Sequence, residues 1–128
     1  MKIYALDALE SEPSDLQTFV GLARLTRMDL AATQPHTNVY RVEFEAAART
    51  NWHCHSGPQL LQILTGVCRF QKSGEAICEA VAGDLVSIEP GERHWHGASS
   101  AGPMTHVAIN IDATTSWFEP VTDEQFTG

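Results

Sequence analysis

Residues Asn51 to Gly66 read NWHCHSGPQLLQILTG. His53 and His55 flank Cys54, and successive side chains of a strand leave opposite faces, so a strand here sends both imidazoles to one side and the thiol to the other. Gln59, whose amide oxygen is a metal donor, follows after Ser56-Gly57-Pro58, and an apolar run then leads to Gly66. His94 and His96 repeat the HxH spacing further along. A lone histidine in a strand is ordinarily a core or surface residue. Two HxH pairs on different strands, each beside a Gly/Pro turn, bring four imidazoles into register. Buried without a ligand, they leave ring nitrogens hard to satisfy. A first-row transition metal supplies the missing partner. A zinc finger is excluded, because Cys54 faces away from its flanking histidines and no paired Cys lies elsewhere.

Strand signals surround this run. In Val39 to Glu45, Tyr40, Val42 and Phe44 share an inward face, with Arg41, Glu43 and Glu45 on the other. Upstream, Phe19 to Met28 fits either a short helix or a strand, and the alternation of Leu22, Arg24 and Thr26 favours a strand. Ala31 to Asn38 reads as a loop with a solvated His36, and residues 1–18 as an acidic arm in which Pro13 opposes a helix. Downstream, Gln59, Leu61 and Ile63 share one face of a strand to Leu64. Leu60 and Leu64 make the other face apolar too, which points to a subunit contact or a covering arm. Val67 to Gln71 and Glu75 to Val81 form a hairpin around Ser73-Gly74. Leu85 to Ile88 is a strand, and Glu89-Pro90-Gly91-Glu92 is a type II turn delivering His94. After a loop from Ala98 to Pro103, Met104 to Ile111 is the last strand. In the tail, Thr122 with Gln125 resembles a capping box for one short helix. Short strands with regular turns predict an all-β barrel or sandwich. It forms a single domain over residues 1–128, with the barrel at 19–111 and a tail at 112–128.

The chain has 128 residues, enough for one core, and a net charge of -8 with no Lys/Arg cluster, which repels phosphate backbones and excludes nucleic acid as a partner. Its apolar runs are far short of a membrane span, and the N-terminus does not open a signal peptide, so the expected location is cytoplasmic. Three cysteines without CxxC spacing suit a reducing compartment. Cys68 and Cys78 can face one another across the hairpin, although two unpaired buried thiols are the simpler reading.

These residues resemble a small single-domain cupin of the conserved-barrel type. The family's first motif, Gly, five residues, HxH, three or four residues, Glu, six residues, Gly, is met by His53, His55 and Gly66, with Gln59 in place of Glu and Ala47 in place of the opening Gly. The second begins at Gly83 and continues through Gly91 to His94, with the usual Pro shifted to Pro90 and Ala98 at a common Asn position. The resemblance implies a double-stranded β-helix, the jelly-roll barrel. It also implies one divalent transition metal per chain on His53, His55, Gln59 and His94. Three imidazoles and a neutral amide leave the ion's full charge in place, making a stronger Lewis acid than a carboxylate set gives. Gln59 can alternatively sit outside the ligand set and orient an imidazole.

Within the cupins, the chain is similar to the manganese-dependent hydroxynitrile lyases through Ala48 to His55, GERHWHGA from Gly91, MTHVAI from Met104 and VTDEQF from Val121. That similarity implies manganese, with iron, zinc, nickel and copper as alternatives. It places His96 and His106 in the cavity as catalytic residues and Tyr40, Val42 and Asn110 along the substrate pocket, with Phe44 on the same strand face. Periodicity alone says otherwise of the last strand. There Val107, Ile109 and Ile111 form the more apolar face, which turns His106 and Asn110 to solvent. The implied activity is lyase chemistry on a cyanohydrin or aldehyde. Rival readings are a metal-dependent dioxygenase and a cupin that binds a small ligand without turnover. The expected partners are a small-molecule substrate and a second copy of the chain in a homodimer, with higher homo-oligomers open.

Overall fold

In the computed structural model, which describes residues 1, 3–28 and 36–128, the alternating segments pair into two antiparallel sheets. One sheet runs, in spatial order, through β1 (Ser11–Pro13), β3 (Ala23–Arg27), β4 (Thr37–Phe44), β12 (Met104–Ile111), β7 (Gln59–Thr65) and β10 (Leu85–Ile88). The other runs through β13 (Thr115–Trp117), β6 (His53–His55), β11 (His94–Ala98), β5 (Arg49–Thr50) and β2 (Phe19–Val20). It is extended by β8 (Val67–Lys72) along β11 and by β9 (Cys78–Val81) along β8. Inward residues follow the period of two: Val42 and Phe44 of β4 and Leu61 and Ile63 of β7 are buried with Cys68, Ala98, Met104 and Ala108 in one core. Burial of these apolar faces is what holds the sheets together.

A second, smaller cluster joins Trp52, Trp95, Val121 and Phe126. It seats the terminal helix α1 (Asp123–Thr127), whose capping box closes with Thr122 Oγ1 accepting from Gln125 N at 3.1 Å and Gln125 Oε1 accepting from Thr122 N at 3.0 Å. The buried Arg49 fastens this segment to the barrel. Its guanidinium donates to the Val121 carbonyl oxygen at 2.6 and 3.2 Å, pairs with Asp123 at 2.8 Å and lies 4.7 Å from the centre of the Phe126 ring.

Several expectations need correction. The segment Phe19 to Met28 is two strands, split where Gly21 takes a φ of +80°. The arm and the tail each add a strand: β1 pairs with β3, and β13 pairs with β6. Of the expected loop from Ala31 to Asn38, residues 31–35 lie outside the described residues, His36 is exposed, and Thr37 and Asn38 already belong to β4. All three cysteines are free, with Cys68 buried but Cys78 exposed. They are not opposite one another, since Cys68 faces Ala80 and Cys78 faces Phe70. On the outer side of β7, Leu60 is half-buried and Leu64 is 37% exposed, so no arm of the described chain covers it.

Gly66, between β7 and β8, has a φ of +74°, and a Cβ there would stand 2.2 Å from the Pro103 carbonyl oxygen. Gly74 has a φ of +83° with nothing within 4 Å of the same atom. Gly66→Ala is therefore expected to lower the unfolding free energy by more than about 2 kcal/mol, combining backbone strain with a clash, against about 1 kcal/mol for Gly74→Ala. Urea denaturation of the two variants, with equal losses counting against the close approach, checks this.

Candidate metal centre

Strands β6 and β11 pair antiparallel with His53 opposite His94, so the two HxH motifs meet ring to ring on the inner face. His53, His55, His94 and His96 are all buried, whereas Cys54 on the opposite face is half-buried. Ring centroids lie 4.2 Å apart for His53 and His94, 5.0 Å for His53 and His55, and 5.6 Å for His55 and His94. Potential ligand nitrogens of His53, His94 and His96 all fall within 4.8 Å of one another. Gln59 enters from the facing sheet, with its Oε1 at 3.2 Å from His94 Nε2.

The hydrogen bonds on the far side of each ring decide what the near side offers. His53 Nδ1 lies 2.9 Å from the Asn51 carbonyl oxygen and His94 Nδ1 lies 2.8 Å from that of Glu92. A carbonyl oxygen only accepts, so each Nδ1 carries the proton and each Nε2 is a bare lone pair. Gln59 donates through Nε2 to Asn110 Oδ1 at 2.8 Å, which leaves its Oε1 as an acceptor. Two lone-pair atoms, His94 Nε2 and Gln59 Oε1, therefore face each other at 3.2 Å. His55 Nδ1 contacts Thr115 Oγ1 at 2.8 Å, and its buried Nε2 has no hydrogen-bond partner. Convergent, unprotonated nitrogen and oxygen donors repel one another when empty and fit a divalent transition cation. Such an ion would be held by three imidazoles, and the donor set does not choose among metals.

Beside this group lies a second pair. His106 Nε2 and His96 Nδ1 are 3.0 Å apart, while His106 Nδ1 and His96 Nε2 are buried without partners. His106 is 0% exposed, so the solvent-facing reading from periodicity is overturned. Pairing of β12 with β7 runs from Thr105 opposite Thr65 to His106 opposite Ile63, an irregularity that passes over Leu64 just where His106 enters the core. Phe44 packs edge-on against both imidazoles, with centroids 5.2 Å from His106 and 6.2 Å from His96.

A cavity of about 910 Å³ opens between the sheets onto these groups. Tyr40, Val42, Phe44 and Asn110 line it, as do His53, His55, Gln59, His96 and His106. His94 borders a separate, smaller pocket of about 240 Å³. Among the cavity residues that the sequence did not single out are Thr50, Thr115 and Trp117. Thr50 is buried, and its Oγ1 accepts from His96 N at 3.2 Å. Thr115 and Trp117 come from the tail strand, the Trp117 ring lying 4.6 Å from that of His53.

Burial is the main influence on charge here. It lowers His94 and His106 to about 4, lowers His53 and His96 well below their ordinary range with help from neighbouring imidazoles, and lowers His55. All five are thus neutral at pH 7, the form that ligates a metal or accepts a proton.

Comparison with known proteins agrees with this geometry. The family described as "Cupin domain" matches residues 40–110. Over 129 residues, 98% of this chain and 98% of the relative, the sequence is 36% identical to an (R)-mandelonitrile lyase of Granulicella tundricola. The fold is similar to a cupin-like protein from Thermotoga maritima, with a TM-score of 0.84 and 31% identity over 89% of each chain. A predicted oxalate decarboxylase from the same organism has a TM-score of 0.74 at 18% identity, over 86% of this chain and 98% of that one, a likeness of fold alone.

Each imidazole titrates lower in the folded chain than in the unfolded one, so the unfolded chain takes up more protons below its own pKa of about 6.5. The contribution to stability is complete above that pH and is lost as pH falls towards about 4. Metal-free protein is expected to show a urea midpoint that drops from pH 7 to pH 5, and a constant midpoint over that range contradicts the neutral cage.

Proposed function

Because the chain belongs to the cupin domain family, we propose that its buried imidazole cage is the metal centre of a lyase that cleaves a cyanohydrin to an aldehyde and hydrogen cyanide. The observation that carries this reading is the pair of facing acceptors, His94 Nε2 and Gln59 Oε1 at 3.2 Å, with the hydrogen-bonded His96 and His106 pair beside them. Near full-length similarity to an (R)-mandelonitrile lyase supports the choice of reaction. The proposed ligands are His53, His55, Gln59 and His94, and the proposed ion is manganese. A divalent ion bound there supplies Lewis acidity, which lowers the pKa of a hydroxyl group brought to it.

The protein's own groups handle the proton. His96 and His106 are neutral and share one hydrogen bond, so whichever ring donates, one bare ring nitrogen remains to accept a proton. That nitrogen takes the hydroxyl proton as the carbonyl double bond forms, and the electrons of the breaking C–C bond leave with cyanide. The imidazolium then returns the proton to cyanide, so atoms and charge balance. Phe44 holds both rings by edge contact and excludes water from them. Val42 and Tyr40 supply an apolar wall for the organic group of the substrate.

We also propose a cytoplasmic homodimer. Free thiols suit a reducing compartment. Leu64 and Leu85, 37% and 57% exposed on neighbouring strands β7 and β10, suit a contact between sheets of two copies.

The test is release of benzaldehyde from each enantiomer of mandelonitrile by manganese-loaded protein. Enantioselective release is expected, lost in His53→Ala together with the metal. His106→Ala is expected to keep its metal and lose at least about 100-fold in kcat, as befits a general base. No release by fully loaded wild type overturns the lyase reading, and substrate-dependent oxygen uptake would replace it with oxygenase chemistry.

A further inference from the structure

The four proposed ligands are held in two different ways. His53 and His94 are each fixed by a main-chain carbonyl from their own strand neighbourhood, that of Asn51 and of Glu92, and these acceptors exist whatever the side chains are. His55 and Gln59 have no such local anchor. Each is met by a side chain directly opposite on a strand from the C-terminal part of the chain: Thr115 is the cross-strand partner of His55 in β13, and Asn110 that of Gln59 in β12. The contacts are short, 2.8 Å from His55 Nδ1 to Thr115 Oγ1 and 2.8 Å from Gln59 Nε2 to Asn110 Oδ1.

Both contacts bear on the donor atoms: the Thr115 hydroxyl accepts from a protonated Nδ1 or donates to a bare one, and an inward lone pair on His55 requires the first. A neutral imidazole offers a lone pair at Nε2 only if Nδ1 carries the hydrogen, and an amide presents its oxygen to one side only if its NH2 is engaged on the other. Both residues can turn the wrong way, His55 by exchanging tautomer and Gln59 by flipping end for end. The buried, partnerless His55 Nε2 and the Gln59 Oε1 facing His94 are the right orientations for donors.

We infer that Thr115 and Asn110 are positioning residues of the metal centre, Thr115 Oγ1 accepting from His55 Nδ1 and Asn110 Oδ1 accepting from Gln59 Nε2, so that both ligands present lone pairs inward. This rests on the proposed ligand set. Asn110 therefore acts through Gln59, although it also lines the cavity where the sequence led us to expect a substrate contact. It follows that the tail strand β13, with Arg49 and the second core anchoring the chain beyond it, belongs to the metal-binding apparatus.

Metal affinity tests this without reference to turnover. Full-length metal-free protein is titrated with manganese(II), free ion being counted by its electron paramagnetic resonance signal, and with zinc(II) against a chromophoric chelator. Thr115→Val replaces the hydroxyl by a methyl group, and Asn110→Leu removes the acceptor at similar size. Each is expected to weaken binding by about 10- to 100-fold, the range for loss of a partner behind a metal ligand. Thr115→Ser and Asn110→Asp keep an acceptor and are expected to bind within about threefold of wild type or tighter. Melting of the metal-free variants separates this effect from misfolding, and the rescuing substitutions do so again. If wild type binds either ion and the Val and Leu variants bind as tightly, the positioning inference alone is overturned. If wild type binds neither ion, the metal reading falls and this inference falls with it.

Discussion

One strand pairing sets everything else in the site. β6 and β11 are joined with His53 opposite His94, and a shift of one residue would send one imidazole of the pair through to the other face. The register is held from several directions. Gly91 N donates to the His55 carbonyl oxygen at 2.8 Å after the Pro90-Gly91 turn, β5 pairs with the far end of β11 at Arg49 and Gly97, and β8 runs along the whole of β11. Gly97 is required there, because a Cβ would lie 2.2 Å from the Ala48 carbonyl oxygen. A cage of imidazoles in the core thus comes from backbone geometry, and its polarity is tolerated because His53, His55 and His94 each have a hydrogen-bond partner on the outer side and His96 and His106 have one another.

That arrangement leaves the inner nitrogens under-satisfied, a feature with energetic weight in a buried place. Five imidazoles and an amide converge without a carboxylate among them. Burial keeps the rings neutral, so the converging side chains themselves offer a cation lone pairs and no charge. On the proposed reading this is the useful property: an ion there keeps its charge for the substrate, while the His96 and His106 pair, held edge-on by Phe44, stays available for the proton. Both sheets contribute: β4 and β12 supply cavity walls, β6 and β11 supply the imidazoles of the proposed ligand set, and β7 brings Gln59 from the facing sheet.

Much of this was legible in the sequence because periodicity and turn chemistry are local. Leu85–Ile88 and Met104–Ile111 are strands over the residues expected, the Pro90-Gly91 turn has Gly91 at a φ of +78°, and the Thr122/Gln125 capping box forms. What failed was non-local. The tail strand Thr115–Trp117 is too short to show a period and exists through its pairing with β6. His106 defied the apolar-face rule because the inner face of β12 meets the imidazoles of the facing sheet, while Val107 and Ile109 on the other face are half-buried. Cys78 is exposed because β9 sits at a sheet edge, bonded on one side to β8. The outer partners of the ligands, Thr115 and Asn110, were invisible as such, since only the fold puts them opposite His55 and Gln59.

The central claim is that these neutral donors hold one ion. Anomalous diffraction at the manganese edge from crystals of manganese-loaded protein tests it most directly. A single peak enclosed by His53, His55, Gln59 and His94, with His96 and His106 still joined to one another, is the predicted result. No peak in the cage, or a peak on His53, His94 and His96 with His55 turned away, would contradict it.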